Sequence, residues 1–208
     1  MTDLTSGRAR GWTLALVCIT ALVLGAVAIY AAYDGSIDGV RRVIRVTAHT
    51  SLAFFLPAFM ASALWRLKPS PATAWLVRHR RELGVTFAAS HIIHGAAIVT
   101  LAVRDPALFW QLSSIGNIAA GGSAYVFILA MLVTSFDGPR RAIGPKAWNR
   151  LHKAGAWYIW ISFIATNGKR IGTGPGFYVT VAILLIAGAV RLAAWMKARR
   201  IEPERAEA

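Results

Sequence analysis

Six long, mostly apolar runs account for most of this 208-residue chain: Trp12–Tyr33, Val43–Leu67, Leu83–Val103, Ile115–Phe136, Trp148–Thr166 and Gly176–Met196. A helix rises about 1.5 Å per residue, so roughly 20 residues cross the ~30 Å of hydrocarbon in a bilayer. Runs of this length leave almost no sequence for a domain outside the membrane. The hydrophobic fraction of 56% and the charged fraction of 15% point the same way. The expected fold is all-α: a polytopic membrane protein, one six-transmembrane-helix bundle over residues 1–208, ending in a polar cytoplasmic tail over 197–208.

The formal net charge of +14 would suit nucleic acid in a soluble protein, but its placement here is topological. With the amino terminus in the cytoplasm, all the lysines and arginines fall inside except Arg41, Arg42, Arg45, Arg104, Lys169 and Arg170. That bias is what the positive-inside rule requires of a chain with both termini cytoplasmic. No nucleic-acid partner is expected; the first partner is membrane lipid.

The first run resembles a signal peptide, with Arg8 and Arg10 before an apolar stretch and small residues near Ala31–Ala32. It is too long for a cleaved signal and reads as a retained helix. Cys18 is the one cysteine, so no intramolecular disulfide can form. The connections are short. Pro69 and Pro71 disfavour helix before a short apolar piece, Ala72–Val77. Gly138-Pro139 and Gly144-Pro145 mark turns in the loop Asp137–Ala147, and glycines fill Asn167–Pro175. No GxGxxG motif follows a strand and no phosphate-binding loop is present, so electrons moved by such a bundle come from another protein or from a membrane quinol.

Chemistry is signalled by histidines inside the apolar runs: His49 in the second, His91 and His94 in the third, His152 near the start of the fifth. An ionisable group in a span costs several kcal/mol without a partner, so each marks a candidate site. Several imidazoles with almost no carboxylates fit metal or haem ligation better than a proton relay. The alternative is that each only hydrogen-bonds a neighbouring helix. His91 and His94, three residues apart, share one side of their helix. His94 lies roughly 20 Å from the inner boundary near Arg81, and His49 falls at a similar depth, whereas His152 lies only about 8 Å in. A porphyrin standing between helices takes both axial ligands at nearly one depth, which pairs His49 with His94 and leaves His152 to another partner. His91 fits a ligand, a supporting group or a proton carrier; His79, in a basic loop, reads as solvated. Small residues, Gly84, Ala88, Ala89, Ser90 and Gly95 in the third run and Ala119–Ser123 in the fourth, permit close packing or room for a flat macrocycle. Trp148 reads as an interface-belt residue.

Arg78-His79-Arg80-Arg81-Glu82-Leu83-Gly84 followed by His94 resembles the start of helix three in the ferric reductase-like transmembrane domain family. The likeness is nearest to its MsrQ/YedZ branch of haem-binding membrane subunits of periplasmic methionine sulfoxide reductase systems. Trp148-Asn149-Arg150-Leu151-His152 is similar to that family's Trp-x-x-Leu-His at the start of helix five. Thr47-Ala48-His49-Thr50 aligns with a Thr-Gly-Arg-Thr stretch in helix two. The resemblance covers about Arg41 to Met196. It implies b-type haem, one or two, held by histidines of helices three and five, with His94 and His152 in those positions. It also implies electron transfer from the cytoplasmic to the outer side. One position departs: where the family has a second helix-five histidine, this chain has Ala165. His49 then becomes the expected replacement ligand for His94. Near His152, Arg80 or His79 is expected to pair with a haem propionate or to supply an unusual second ligand.

The resulting expectation is a haem b-binding inner-membrane subunit, an electron-transfer part of an oxidoreductase. It would pass electrons from a cytoplasmic or quinol donor, with flavin or quinone supplied by a partner, to a periplasmic redox partner. A haem-free transporter or scaffold and a quinone-linked membrane anchor of a dehydrogenase are the alternatives.

Overall fold

A computed structural model describes the backbone of residues 2–206 and the side chains of residues 11–200. Its described residues are helical throughout, with no strand. The elements in order are α1 (Thr2–Ala32), α2 (Ile37–Leu67), α3 (Pro71–Arg78), α4 (Arg80–Arg104), α5 (Pro106–Leu112), α6 (Ile115–Val133), α7 (Asp137–Gly168) and α8 (Pro175–Ala206). The chain is an all-α membrane protein. Five helical stretches are long and apolar enough to cross a membrane: Gly11–Ala32, Ile37–Leu67, Arg80–Arg104, Ile115–Val133 and Pro175–Arg200.

The expected fifth run, Trp148–Thr166, is helical within α7, but it is not among those five. Arg150, Lys153, Asn149 and His152 near its start and its tryptophans and tyrosine lower its mean hydropathy. It is nonetheless packed on both sides, against α6 and α8.

Local chemistry sets the helix ends. Asp34 and Gly35 take positive φ (50° and 62°), which turns the chain sharply between α1 and α2, and Ser36 caps α2 by accepting from Gly39 N at 3.3 Å. Ser70 and Thr73 form a reciprocal capping box for α3. Pro71 therefore starts a helix instead of preventing one, because the first helical position has no N–H to lose. In the same way Asp105 caps α5 ahead of Pro106. The stretch Asp137–Ala147, read from sequence as a loop, is also mostly helical. It bends at Gly144, whose φ of 74° and ψ of 164° are open to glycine and almost nothing else, and Pro145 restarts the helix. At the other end of the chain, α8 continues past Met196 to Ala206; Glu207 and Ala208, the end of the expected tail, lie outside the described residues.

α2 and α4 form the central pair. α1 lies against both, α8 lies on α2, and α6, α7 and α8 complete the other side. One core cluster joins Phe55 and Phe59 of α2, Phe87 and Ala88 of α4, Ile128 of α6, Ile159 of α7 and Ala187 of α8. A second joins Val40 and Val43 to Ala97 and Leu101, toward the end where α2 begins and α4 finishes. Other apolar surface, such as Leu16, Leu24, Val99, Val126 and Ile186, is exposed, as suits helices that face lipid.

Candidate functional site: a polar seam and its histidines

The contact between α2 and α4 is polar where an apolar run would supply only carbon. Thr47, Thr50 and Ser51 share one face of α2 and meet Ser90 and His94, which are four residues apart on α4. Ser51 donates to Ser90 Oγ at 3.0 Å, Thr50 and Ser90 hydroxyls lie 2.8 Å apart, and Ser90 reaches the Thr47 carbonyl at 3.3 Å. One turn further on, His94 Nδ1 lies 3.0 Å from the carbonyl oxygen of Ile44 and 3.2 Å from Thr47 Oγ1. A carbonyl has no proton to give, so Nδ1 carries the hydrogen and Nε2 keeps its lone pair. A histidine that ligates through Nε2 is held in this way, its other nitrogen donating to a carbonyl.

His91 stands beside it, with ring centroids 5.2 Å apart. Its other neighbours are aromatic: Tyr125 at 5.0 Å, Phe87 at 5.5 Å and Phe163 of α7 at 6.1 Å. His91 Nδ1 is buried with no hydrogen-bond partner. The Tyr125 hydroxyl donates to the His91 carbonyl at 2.8 Å, and its ring lies so close over Gly95 that a Cβ there would collide with it. Between α4 and α7 the space is thus lined by rings, with Phe87 and Phe163 6.5 Å apart.

Two expected ligands sit elsewhere. His49 is exposed, and its Nδ1 donates to Arg45 O of its own helix at 2.7 Å. Two residues beyond Thr47, it is rotated by about 200° at roughly 3.6 residues per turn, onto the opposite face of α2. Equal depth does not give it a view of His94, and the structure does not bring the two together. Ala165 is exposed as well, two residues beyond the inward-facing Phe163.

His152 belongs to a second cluster, where α6 ends and α7 begins. Its ring stacks on Trp148 at 4.2 Å and its Nε2 lies 3.1 Å from Thr134 Oγ1. Thr134 gives its own hydrogen to Ala130 O at 2.7 Å, so it accepts from His152. Trp148 donates to Thr134 O at 2.9 Å and lies under the Arg140 guanidinium at 4.8 Å. Instead of forming a lipid-facing belt, Trp148 supports His152. Arg80 and Arg140 approach the same imidazole, and Arg80 also donates to Ser62 Oγ at 2.7 Å.

His79 is not a solvated loop residue. It is 9% exposed, lies 4.7 Å from the Trp75 ring, and with Glu82 (7% exposed) packs against Gly11 of α1. The small run Ala119–Ser123 is mostly exposed, and Gly121 and Gly122 have open space where a side chain would project. The run therefore does not serve close helix packing, although the Tyr158 hydroxyl of α7 reaches Ala120 O at 3.2 Å. Sequence reading gave no role in the site to Thr47, Tyr125 or Arg191. Polar residues recurring at helical spacing within an apolar run, as Thr47–Thr50–Ser51 and Ser90–His94 do, were the available signal.

Among the described residues no three His, Cys, Asp or Glu side chains gather to hold a bare metal ion. The donor set fits a cofactor that asks for single axial nitrogens. His94 offers Nε2 with its Nδ1 hydrogen already anchored, and His91 is a buried orphan beside it. His152 has its Nε2 hydrogen engaged with Thr134, which leaves the Nδ1 lone pair as the nitrogen it offers.

Comparison with known proteins gives one informative match. The chain is 32% identical over 87 residues to the protein-methionine-sulfoxide reductase heme-binding subunit MsrQ of Azospira oryzae. The match covers 38% of this chain and 35% of that protein, so the chain spans about a third of the relative's length. No family model matches. No solved structure matches either.

Proposed function

We propose that the protein is a haem-binding membrane subunit for electron transfer, related in function to MsrQ. The observation that carries this reading is the His94 imidazole, anchored through Nδ1 to Ile44 O at the contact between α2 and α4. The partial likeness to a subunit named for haem binding supports it. In this reading His94 holds the iron, His91 borders it, and His152 serves a second centre through Nδ1, its Nε2 hydrogen held by Thr134. Arg80, close to His152, is the candidate partner for a propionate.

A bound haem supplies one-electron chemistry. The chain supplies the rest. Ile44 O and Thr47 Oγ1 fix the orientation and the tautomer of His94. Phe87, Phe163 and Tyr125 exclude water around His91 and lower the polarity of the site. The helices lie in the bacterial inner membrane with both termini cytoplasmic and α7 as a sixth span. Electrons run from a cytoplasmic or quinol donor to a redox partner on the periplasmic side.

Purified protein from haem-replete cells tests this through a reduced-minus-oxidised spectrum and pyridine haemochrome quantitation. The expected result is a b-type spectrum at near-stoichiometric haem, lost or converted to another spin state in His94→Ala. Protein that folds without haem, or a His94→Ala variant with wild-type haem content and spectrum, overturns the reading.

A further inference from the structure

At the end of the bundle where α2 and α8 finish and α4 begins, three arginines from three helices converge. Phe59, Ser62 and Arg66 lie three and four residues apart and share one face of α2. Arg191 of α8 crosses this face: it donates to Phe59 O at 2.9 Å and stacks over the rings of Phe59 at 4.2 Å and Trp157 at 5.1 Å. Arg80 of α4 donates to Ser62 Oγ at 2.7 Å. Arg191 is held at Phe59, Arg80 at Ser62 three residues on, and Arg66 follows four residues later on the same face of α2.

Among the described residues, none of the three has an acidic partner; the ion pairs there are Arg41–Asp38 and Arg81–Asp137. Three like charges from separate helices repel one another, and a carbonyl, a hydroxyl and two ring faces do not cancel that charge. Arg191 is also deep. It lies six residues before Lys197, about 9 Å further into the bundle. Lys197 itself caps the end of α2, donating to Arg66 O at 3.2 Å and Leu67 O at 3.4 Å.

The surroundings indicate what neutralises the cluster. Arg191, Trp195 and Arg199 recur every four residues along α8, with the Arg199 guanidinium 4.1 Å over the Trp195 ring. Trp195 and Trp65 are both exposed. Exposed tryptophans beside arginines at a helix end mark the headgroup layer of a bilayer. Arg66 and Arg80 are exposed, so an anion can reach the cluster from outside the bundle.

We infer that Arg66, Arg80 and Arg191 form a binding site for the phosphodiester of an anionic phospholipid headgroup. Guanidinium groups meet phosphate oxygens with paired, charge-assisted hydrogen bonds, a geometry that lysine at the same positions would not give. The bound phosphate ties α2, α4 and α8 together at the end of the bundle that also holds His152.

Native mass spectrometry of the purified full-length protein, with haem content measured on the same samples, tests the site. The probes are phosphatidylglycerol, phosphatidylcholine and inorganic phosphate. Wild-type protein is expected to retain phosphatidylglycerol over phosphatidylcholine. Arg191→Gln and Arg80→Gln should each lower that retention about fivefold or more. Arg66→Gln, a change at an exposed position, gives the same readout if Arg191→Gln fails to fold. Haem content should stay at the wild-type level in Arg66→Gln and Arg191→Gln; Arg80→Gln is read by lipid retention alone, because Arg80 also stands beside the proposed propionate. Equal retention of the two lipids, or full retention of phosphatidylglycerol by the variants, overturns the site. Displacement of the lipid by millimolar inorganic phosphate would assign the site to free phosphate and overturn the lipid proposal. Loss of haem in Arg66→Gln or Arg191→Gln would assign these arginines to the cofactor and overturn it too. A wild-type protein without haem that still selects phosphatidylglycerol would leave this site standing while removing the proposed function.

Discussion

Ser51 donates a hydrogen bond to Ser90 across the α2–α4 contact at 3.0 Å, with both side chains fully buried. Ser90 in turn reaches the Thr47 carbonyl one turn before His94, so the seam and the imidazole share a backbone segment. Ser90→Ala is expected to cost about 0.6–1.7 kcal/mol, the range for a hydrogen bond between helices in a membrane. Ser90→Leu should do more, because a larger side chain must push α2 and α4 apart and carry Ile44 O away from His94. Reversible unfolding in mixed detergent micelles measures the first effect; haem content measures the second. A Ser90→Leu protein as stable and as haem-loaded as wild type would show that the seam does not position His94.

His94 and His49 should respond very differently to substitution. Thr47→Val removes the hydroxyl 3.2 Å from His94 Nδ1 but leaves the Ile44 carbonyl. The expected result is retained haem with weakened affinity, about tenfold or more as for other residues that hold a metal-ligating histidine, and a shifted midpoint potential. His49→Ala should change neither, since His49 faces away from α4. A low-spin spectrum lost in His49→Ala would restore His49 as a ligand. For the same reason Ala165→His should not add a ligand, and a gain of low-spin signal in that variant would show that α7 turns this face inward.

The membrane class of the fold was legible because length and hydropathy are properties of a single segment. The angle at which a residue faces its neighbours was less so. His94 was singled out as an imidazole inside an apolar run, and the structure places it on the α2–α4 seam. His49 was paired with it by depth alone, and depth says nothing about a rotation of roughly 200°. The burial of His79 depends on α1 passing at Gly11, a contact between segments far apart in sequence. Pro71 was a signal of breakage that the fold uses as a helix start, because Ser70 caps the turn before it; Asp105 and Pro106 start α5 in the same way.

Topology is testable independently of any cofactor. The distribution of lysine and arginine predicts that a reporter fused after Arg42 reads outside and one fused after Ala208 reads inside. A third fusion after Lys169 settles the role of α7. If α7 spans, Lys169 lies on the side opposite Arg141. Equal readings at Arg141 and Lys169 would leave α7 as a helix that does not cross, and would place His152 and Ala165 on one side.

Gly144 sets the direction in which α7 leaves its first turns. With φ at 74° and ψ at 164° it occupies a region essentially closed to other residues, and it immediately precedes Pro145, which fixes the next φ. Nothing lies within 4 Å of the place a Cβ would occupy, so the cost of Gly144→Ala is conformational, not steric crowding by neighbours. That cost is about 1–3 kcal/mol. The chain can relieve it by straightening or shifting the bend, which would move Trp148 and His152 relative to Thr134. The expected outcome is lower thermal stability in detergent together with altered tryptophan fluorescence, while His94 and the α2–α4 seam are untouched. If haem is bound at both histidines, Gly144→Ala should lose the His152-dependent component of the spectrum and keep the His94-dependent one. Wild-type stability and fluorescence in Gly144→Ala would mean that the bend is not held by glycine, and the positioning of His152 would need another cause.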